Sequence, residues 1–126
     1  MVDTFADALA RIKNALAVGK KEVVLKHSNM IEEALNVLKQ EEMINEFEVQ
    51  EGEITVTLKY LEDESSFLTH IERVSSPGQR IYVKARDITP VLNGRGIGII
   101  STSKGVMASP VAKSMGLGGE YLCKVW

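Results

Sequence analysis

The first part of the chain contains two stretches whose apolar residues recur at helical spacing. The first apolar stripe consists of Phe5, Leu9, Ile12 and Leu16. The second consists of Met30, Ile31, Ala34, Leu35 and Leu38. Gly19 would end the first helix, and Asn29 with Glu32 fits a capping box that would begin the second. A short apolar run at 22–25 predicts a strand between the two helices.

Alternation of apolar and polar residues follows the second helix and predicts two strands. Phe47 and Val49 alternate with polar neighbours, and the apolar positions 54–60 do the same. Glu51 and Gly52 supply a two-residue turn between these strands. The predicted order of the first part is therefore α-β-α-β-β.

A wholly polar segment at 62–66 marks the expected boundary between two domains, 1–64 and 65–126. Beyond it we predict strands at 69–74, 80–84, 97–100 and 121–126. Pro77 and Gly78 predict a type II turn. We predict short helices at 88–92 and from Ser109-Pro110 to the glycines Gly116, Gly118 and Gly119. The expected fold class is α+β with two small packed domains: an N-terminal α-β-α-β-β domain and a C-terminal, mainly β domain with short helices.

Charge is divided unevenly between these two domains. Residues 1–64 hold seven Lys/Arg and fourteen Asp/Glu, whereas residues 65–126 hold eight Lys/Arg and three Asp/Glu. A basic C-terminal domain in a chain of net charge −2 is consistent with a polyanionic partner for that domain. An acidic solvated face on the other domain is the alternative interpretation.

The residue types argue against an enzyme. Cys123 is the single cysteine, so no internal disulfide can form, and a reducing, cytoplasmic setting is expected. The sequence has no HExxH or CxxC motif and no GxxxxGK[ST] phosphate loop, and the glycines at 94–98 do not have dinucleotide-binding spacing. We therefore expect no catalytic residues, no metal and no cofactor. An enzyme that uses Cys123 or a bound nucleotide remains the competing hypothesis.

Two segments of the basic domain favour RNA. In the predicted strand 80–84, alternation places Arg80, Tyr82 and Lys84 on one face, where the cations can meet phosphates and the ring can stack on a base. The run 101–105 (Ser101, Thr102, Ser103, Lys104 and Gly105) follows the most apolar predicted strand. Its short hydroxyl side chains can donate and accept hydrogen bonds in the shallow minor groove of A-form RNA.

Several motifs in register resemble the ribosomal protein S8 family of the small subunit. They are DALARIKNA from Asp7, RVSSPGQRIYV from Arg73, VLNGRGIGII from Val91, STSKGVM from Ser101 and GLGGEYLC from Gly116. The resemblance covers nearly the whole chain. It implies a structural protein that is a primary binder of small-subunit ribosomal RNA and that organises the central domain during assembly of that subunit.

The resemblance also implies which residues contact RNA. The main contacts would come from Ser101, Thr102, Ser103 and Lys104, with Tyr82 and Glu120 nearby. A second RNA surface would include Arg11, Lys13 and Asn14 on the first helix. Neighbouring small-subunit ribosomal proteins are further expected partners, and no membrane contact is expected. The free protein is expected to be a monomer. Some bacterial members of the family bind their own messenger RNA and repress its translation, so the resemblance also implies that this messenger could be a partner. A free regulatory RNA-binding module that acts mainly on messenger RNA is the alternative within the RNA-binding class.

Overall fold

A computed structural model of the protein describes residues 4–126, and the chain divides into two compact units, one ending at Thr69 and one beginning at His70. The first unit contains α1 (Thr4–Ala17), β1 (Glu22–Lys26), α2 (Asn29–Gln40), β2 (Ile44–Gln50) and β3 (Glu53–Leu58). This order confirms the α-β-α-β-β prediction. The exact boundary predicted at 64/65, and the independence of each unit as a folding domain, stay predictions.

The first unit is a three-stranded antiparallel sheet in the order β1-β3-β2, with α1 beside β1 and α2 beside β2. Ile54, Val56 and Leu58 of β3 are buried, whereas the residues between them are more exposed, as alternation requires. The cap of α2 is a correction: it is Ser28, not Asn29, whose side chain accepts the N–H of Ile31 at 3.2 Å. Ser28 has extended backbone angles, which suit the cap position, while Asn29 already lies in the helix.

The second unit contains five strands and one α-helix. They are β4 (Ile71–Arg73), β5 (Tyr82–Val83), β6 (Ile97–Thr102), β7 (Gly105–Ala108), α3 (Ser109–Ser114) and β8 (Gly119–Val125). The sheet has the order β4-β8-β6-β7, and β5 also pairs with β8. Its core brings together Ile88, Ile100, Ala112 and Tyr121.

Strand β7 is absent from the sequence prediction, and the strand of Tyr82 and Val83 is three residues shorter than predicted. The α+β class with a mainly β second part is confirmed.

Two local predictions ahead of β6 in the second unit were wrong. Gly78 does not have a positive φ, so the turn at Ser76–Gln79 is not type II; instead Ser76 and Gln79 exchange backbone hydrogen bonds of 3.1 Å. Residues 88–92 do not form one helix. Two 3₁₀ turns occupy Ala85–Asp87 and Leu92–Gly94. Pro90 between them disfavours helical angles in the residue before it.

Candidate nucleic-acid interface

Three of the candidate residues form a row across neighbouring strands of the second unit. In the antiparallel register, Glu120 of β8 lies opposite Ser101 of β6 on one side and opposite Tyr82 of β5 on the other. Residues directly opposite in antiparallel strands project from the same face of the sheet. We call Ser101, Glu120 and Tyr82 the central row. Strand pairing thus brings together candidates that are far apart in the sequence.

The exposure of Tyr82, Arg80 and Lys84 supports a binding face. The side chain of Tyr82 is a large aromatic group that remains 69% exposed. Arg80 and Lys84 are also exposed, whereas Ile81 and Val83 are less so. This agrees with the predicted alternation, although only Tyr82 and Val83 belong to the strand. The tyrosine ring and the two cations therefore share the side of the chain that solvent reaches.

The hydroxyl run 101–105 is a strand end followed by a tight turn. Ser101 and Thr102 complete β6, Ser103 and Lys104 form the turn, and Gly105 begins β7. We call Thr102–Gly105 the β6–β7 turn. Gly105 has φ 111°, a backbone conformation that residues with a Cβ rarely adopt.

The hydroxyls in this segment have different partners. Thr102 Oγ1 donates to the carbonyl oxygen of Gly105 at 2.8 Å and accepts the N–H of Lys104 at 3.1 Å, so it closes the turn. Within residues 4–126, the hydroxyls of Ser101 and Ser103 and the ammonium of Lys104 form no hydrogen bond to a protein side chain or backbone group. Ser101, Ser103 and Lys104 can therefore engage a ligand without breaking a protein contact.

Glu120 is held by two donors that converge on one carboxylate oxygen. Its Oε2 accepts from Ser75 Oγ at 2.5 Å and from Arg80 Nη1 at 2.9 Å, and its side chain is 14% exposed. Burial opposes ionisation of this carboxyl. The hydrogen bonds from Ser75 and Arg80, with the charges of Arg80 and Arg73, outweigh burial and hold the pKa of Glu120 below its ordinary value. Glu120 is consequently an ionised acceptor in the middle of the central row.

Two glycines allow the strands around Glu120 to approach each other. A Cβ on Gly119 would lie less than 3.0 Å from the carbonyl oxygen of Ser101, and one on Gly118 would lie less than 3.0 Å from that of Val83. Any side chain at either position would push β6 or β5 away from β8. The prediction that these two glycines end α3 is wrong, because that role belongs to Gly116, which has φ 71° after the C-cap Met115.

Ser75, Gly118 and Gly119 contribute to the site through partners remote in the sequence. In the sequence, Ser75 is only a small polar residue ahead of the Pro77-Gly78 turn. Nothing local distinguishes it from Ser76, since its acceptor, Glu120, lies 45 residues away.

The N-terminal candidates lie in the first unit, on α1. Arg11, Lys13 and Asn14 are exposed, and Arg11 Nε donates to Asp7 Oδ2 at 3.0 Å. Arg11 and Asn14 line a shallow groove with Val18 and Lys20. The groove offers cations and an amide to a ligand, although one cation already has an acidic neighbour.

Cys123 lies at the core of the second unit. Its side chain is fully buried, and burial raises the pKa of the thiol to about 12. The thiolate is the nucleophilic form, so this thiol cannot serve as a nucleophile near neutral pH. The geometry of Cys123 thus argues against the competing enzyme hypothesis.

Comparison with known proteins identifies the family. The model of the family described as ribosomal protein S8 matches residues 3–126. The chain belongs to the ribosomal protein S8 family. Small ribosomal subunit protein uS8 of Aliarcobacter butzleri is 45% identical over 131 residues, with 100% of this chain and 99% of that protein covered. The uS8 protein of Finegoldia magna is 42% identical over 130 residues, with 100% and 99% covered.

The S8 family extends beyond these two bacterial proteins. Small ribosomal subunit protein uS8c of Ostreococcus tauri is 40% identical over 125 residues, covering 98% of both chains. The family consists of structural ribosomal components, so the expectation that the chain is not an enzyme is confirmed. Within residues 4–126, no helix has the length and apolar character that crossing a membrane demands.

Proposed function

We propose that this protein is a structural constituent of the small ribosomal subunit that binds small-subunit ribosomal RNA through the central row and the β6–β7 turn. The observation that carries the proposal is the pairing of β5, β8 and β6. It places an exposed tyrosine ring, an ionised carboxylate and a serine hydroxyl side by side, with Ser103 and Lys104 in the adjoining turn.

The chemistry of this surface suits RNA better than duplex DNA. Hydroxyl groups can donate to base edges and exchange hydrogen bonds with ribose 2′-hydroxyls, which DNA lacks. The ring of Tyr82 can stack on an unpaired base, and Lys84, Lys104 and Arg80 supply charge for phosphates. The mixture of groups is typical of proteins that recognise shape and base edges together.

The exposed set on α1 supports a second contact with the same RNA. Arg11, Lys13 and Asn14 would meet a phosphate-rich segment, because these three exposed residues carry two cations and an amide. An RNA bound by both units would organise around the protein during assembly of the central domain of the subunit. Neighbouring small-subunit ribosomal proteins complete the set of proposed partners, and the bacterial cytoplasm, on the ribosome, is the proposed location.

Regulation of its own messenger is compatible with the same surface. A face that reads 2′-hydroxyls and base edges responds to local RNA structure, irrespective of which RNA carries it. A messenger segment folded like the ribosomal site would therefore compete for the central row.

A binding experiment tests the proposal. Filter binding should show high affinity for a central-domain fragment of small-subunit ribosomal RNA and at least a thousandfold weaker binding to a DNA duplex of equal length, on the order of the usual specificity ratio. Cosedimentation with small subunits should occur at stoichiometric levels. A protein that binds its own messenger but neither ribosomal RNA nor subunits would be a regulatory module, and the proposal would be wrong.

A further inference from the structure

Ser75 is a buried hydroxyl to which neither family membership nor the central row assigns a task. It is 3% exposed, and with Ser109 it is one of two buried polar residues in the part of the chain that the structure describes. Its Oγ accepts the backbone N–H of Ile81 at 3.1 Å and donates to Glu120 Oε2 at 2.5 Å. The residue therefore links the turn before β5 to the carboxylate of β8.

Basic side chains surround this link. Arg80 donates to the same Glu120 oxygen at 2.9 Å, and Arg73 Nε donates to the carbonyl oxygen of Ser75 at 2.6 Å. The backbone and the hydroxyl of Ser75 are thus both fixed by hydrogen bonds. Within residues 4–126, Glu120 Oε1 has no hydrogen-bond donor, so one carboxylate oxygen is occupied and the other is available.

We propose that Ser75 is a positioning residue that holds Glu120 with Oε2 occupied and Oε1 available, so that the central row accepts an amino group of a base and rejects a phosphate. This inference rests on the proposed function, since it assumes that RNA occupies the central row. The burial of Ser75 argues that it acts through Glu120 and does not itself touch RNA.

The selectivity follows from the chemistry of an ionised carboxylate. Such a group can only accept hydrogen bonds, and the exocyclic amino groups of cytosine, adenine and guanine are donors. A phosphate has no proton to donate at neutral pH and would meet a like charge. Lys104 and Lys84 would bind phosphates elsewhere on the face, while Glu120 would accept a donor group of a base and repel a phosphate.

The test combines a titration with a double-mutant cycle on the full chain. The carboxyl carbon of Glu120 is titrated by NMR in the free wild-type protein and in Ser75→Ala. Affinity for the central-domain ribosomal RNA fragment is measured for wild type, Ser75→Ala, Glu120→Gln and the double variant. Loss of the Ser75 donor should raise the pKa of Glu120. It should also weaken RNA binding about three- to tenfold in the wild-type background, but less than about twofold in the Glu120→Gln background.

Ser109→Ala is the matched control. Ser109 is equally buried, and its Oγ accepts the backbone N–H of Gly98 at 2.8 Å, so its loss also removes a hydroxyl bound to the backbone of the same unit. This variant should leave the pKa of Glu120 and the RNA affinity unchanged even if it lowers the melting temperature as much as Ser75→Ala does.

Two different failures can be told apart. If folded Ser75→Ala leaves the pKa of Glu120 unmoved, or if its effect on affinity is the same with and without Glu120, Ser75 is merely structural and the inference is wrong. If the wild-type protein binds no small-subunit ribosomal RNA fragment, the proposed function fails first, and the base-selecting role of Ser75 fails with it. The NMR titration would then still show whether Ser75 holds Glu120.

If Ser75→Ala does not fold, Ser75→Thr takes its place. This variant retains the hydroxyl and should keep the wild-type pKa of Glu120. A raised pKa of Glu120 in Ser75→Thr would contradict the hydrogen-bonded link between the two residues.

Discussion

The hydroxyl of Thr102 donates a hydrogen bond to the carbonyl oxygen of Gly105 across the β6–β7 turn, at 2.8 Å. The same hydroxyl oxygen accepts the N–H of Lys104, so Thr102 holds the turn that presents Ser103 and Lys104. The hydroxyl run therefore has two roles. Thr102 acts on the fold, and the neighbouring serines remain available to a ligand.

Thr102→Ala and Ser103→Ala should separate these two roles. Thr102→Ala removes both hydrogen bonds of the turn and should lower the free energy of unfolding by about 1 kcal/mol. Ser103→Ala removes an exposed hydroxyl without a protein partner and should change that free energy by less than about 0.5 kcal/mol. Urea denaturation of both variants measures the difference. Equal stability of the two would show that the Thr102 bonds do not support the turn.

The close strand approach at Gly119 should make this position intolerant of any side chain. Gly119→Ala would place a Cβ less than 3.0 Å from the carbonyl oxygen of Ser101, and separating β6 from β8 should cost about 2–4 kcal/mol of unfolding free energy. Gly78→Ala is the control, because a Cβ there would have no atom within 4 Å and the φ of Gly78 is not positive. It should change stability by less than about 1 kcal/mol. A stable, tightly packed Gly119→Ala protein would contradict the observed strand spacing.

The lowered pKa of Glu120 predicts a pH-dependent contribution to stability. A carboxyl whose folded pKa lies below its unfolded value stabilises the protein above the unfolded pKa, about 4.3 for glutamate, and loses this effect as pH falls through the folded pKa. Glu120→Gln should therefore be less stable than wild type at pH 6, and the difference should shrink below about pH 4.3. Denaturation at several pH values measures it. A stability difference that stays constant with pH would show that ionised Glu120 stabilises the folded state no more than protonated Glu120 does.

Lys104 should act on RNA through charge alone. If it neutralises one phosphate, Lys104→Ala should reduce the slope of log affinity against log salt concentration by about 1. Lys113→Ala is a suitable control, because the ammonium of Lys113 already donates to the carbonyl oxygen of Ile88 at 2.5 Å. Its slope should match that of wild type. An unchanged slope for Lys104→Ala would remove Lys104 from the phosphate contacts.

Sequence patterns predicted the elements whose signal is local. The apolar stripes of α1 and α2 and the alternation in β2 and β3 determine the first unit, because each element buries one face. The short strand β7 was not predicted, because its four residues, Gly105–Ala108, lack clear alternation of apolar and polar side chains. The strand forms by pairing with β6.

The candidate site was predictable in its residue types but not in its internal bonding. Hydroxyls, a tyrosine and cations indicate RNA from sequence alone, and the family resemblance indicated Glu120. The roles of Ser75 and Gly119 depend on strands that meet only after folding. The Thr102 bond to Gly105 is local, yet the sequence alone does not distinguish Thr102 from Ser101 and Ser103 as the residue that closes the turn.

RNA binding at the central row and the β6–β7 turn is best tested with the double variant Ser101→Ala, Ser103→Ala. Its affinity for the central-domain ribosomal RNA fragment is measured across a salt series. Both hydroxyls lack protein partners among residues 4–126, so the variant should fold and melt like wild type. We expect roughly tenfold weaker binding with an unchanged salt slope, because about 0.5–1.5 kcal/mol is lost per hydrogen bond and no charge is removed. Wild-type affinity in the folded variant would show that these hydroxyls do not contact RNA and would place the RNA site elsewhere.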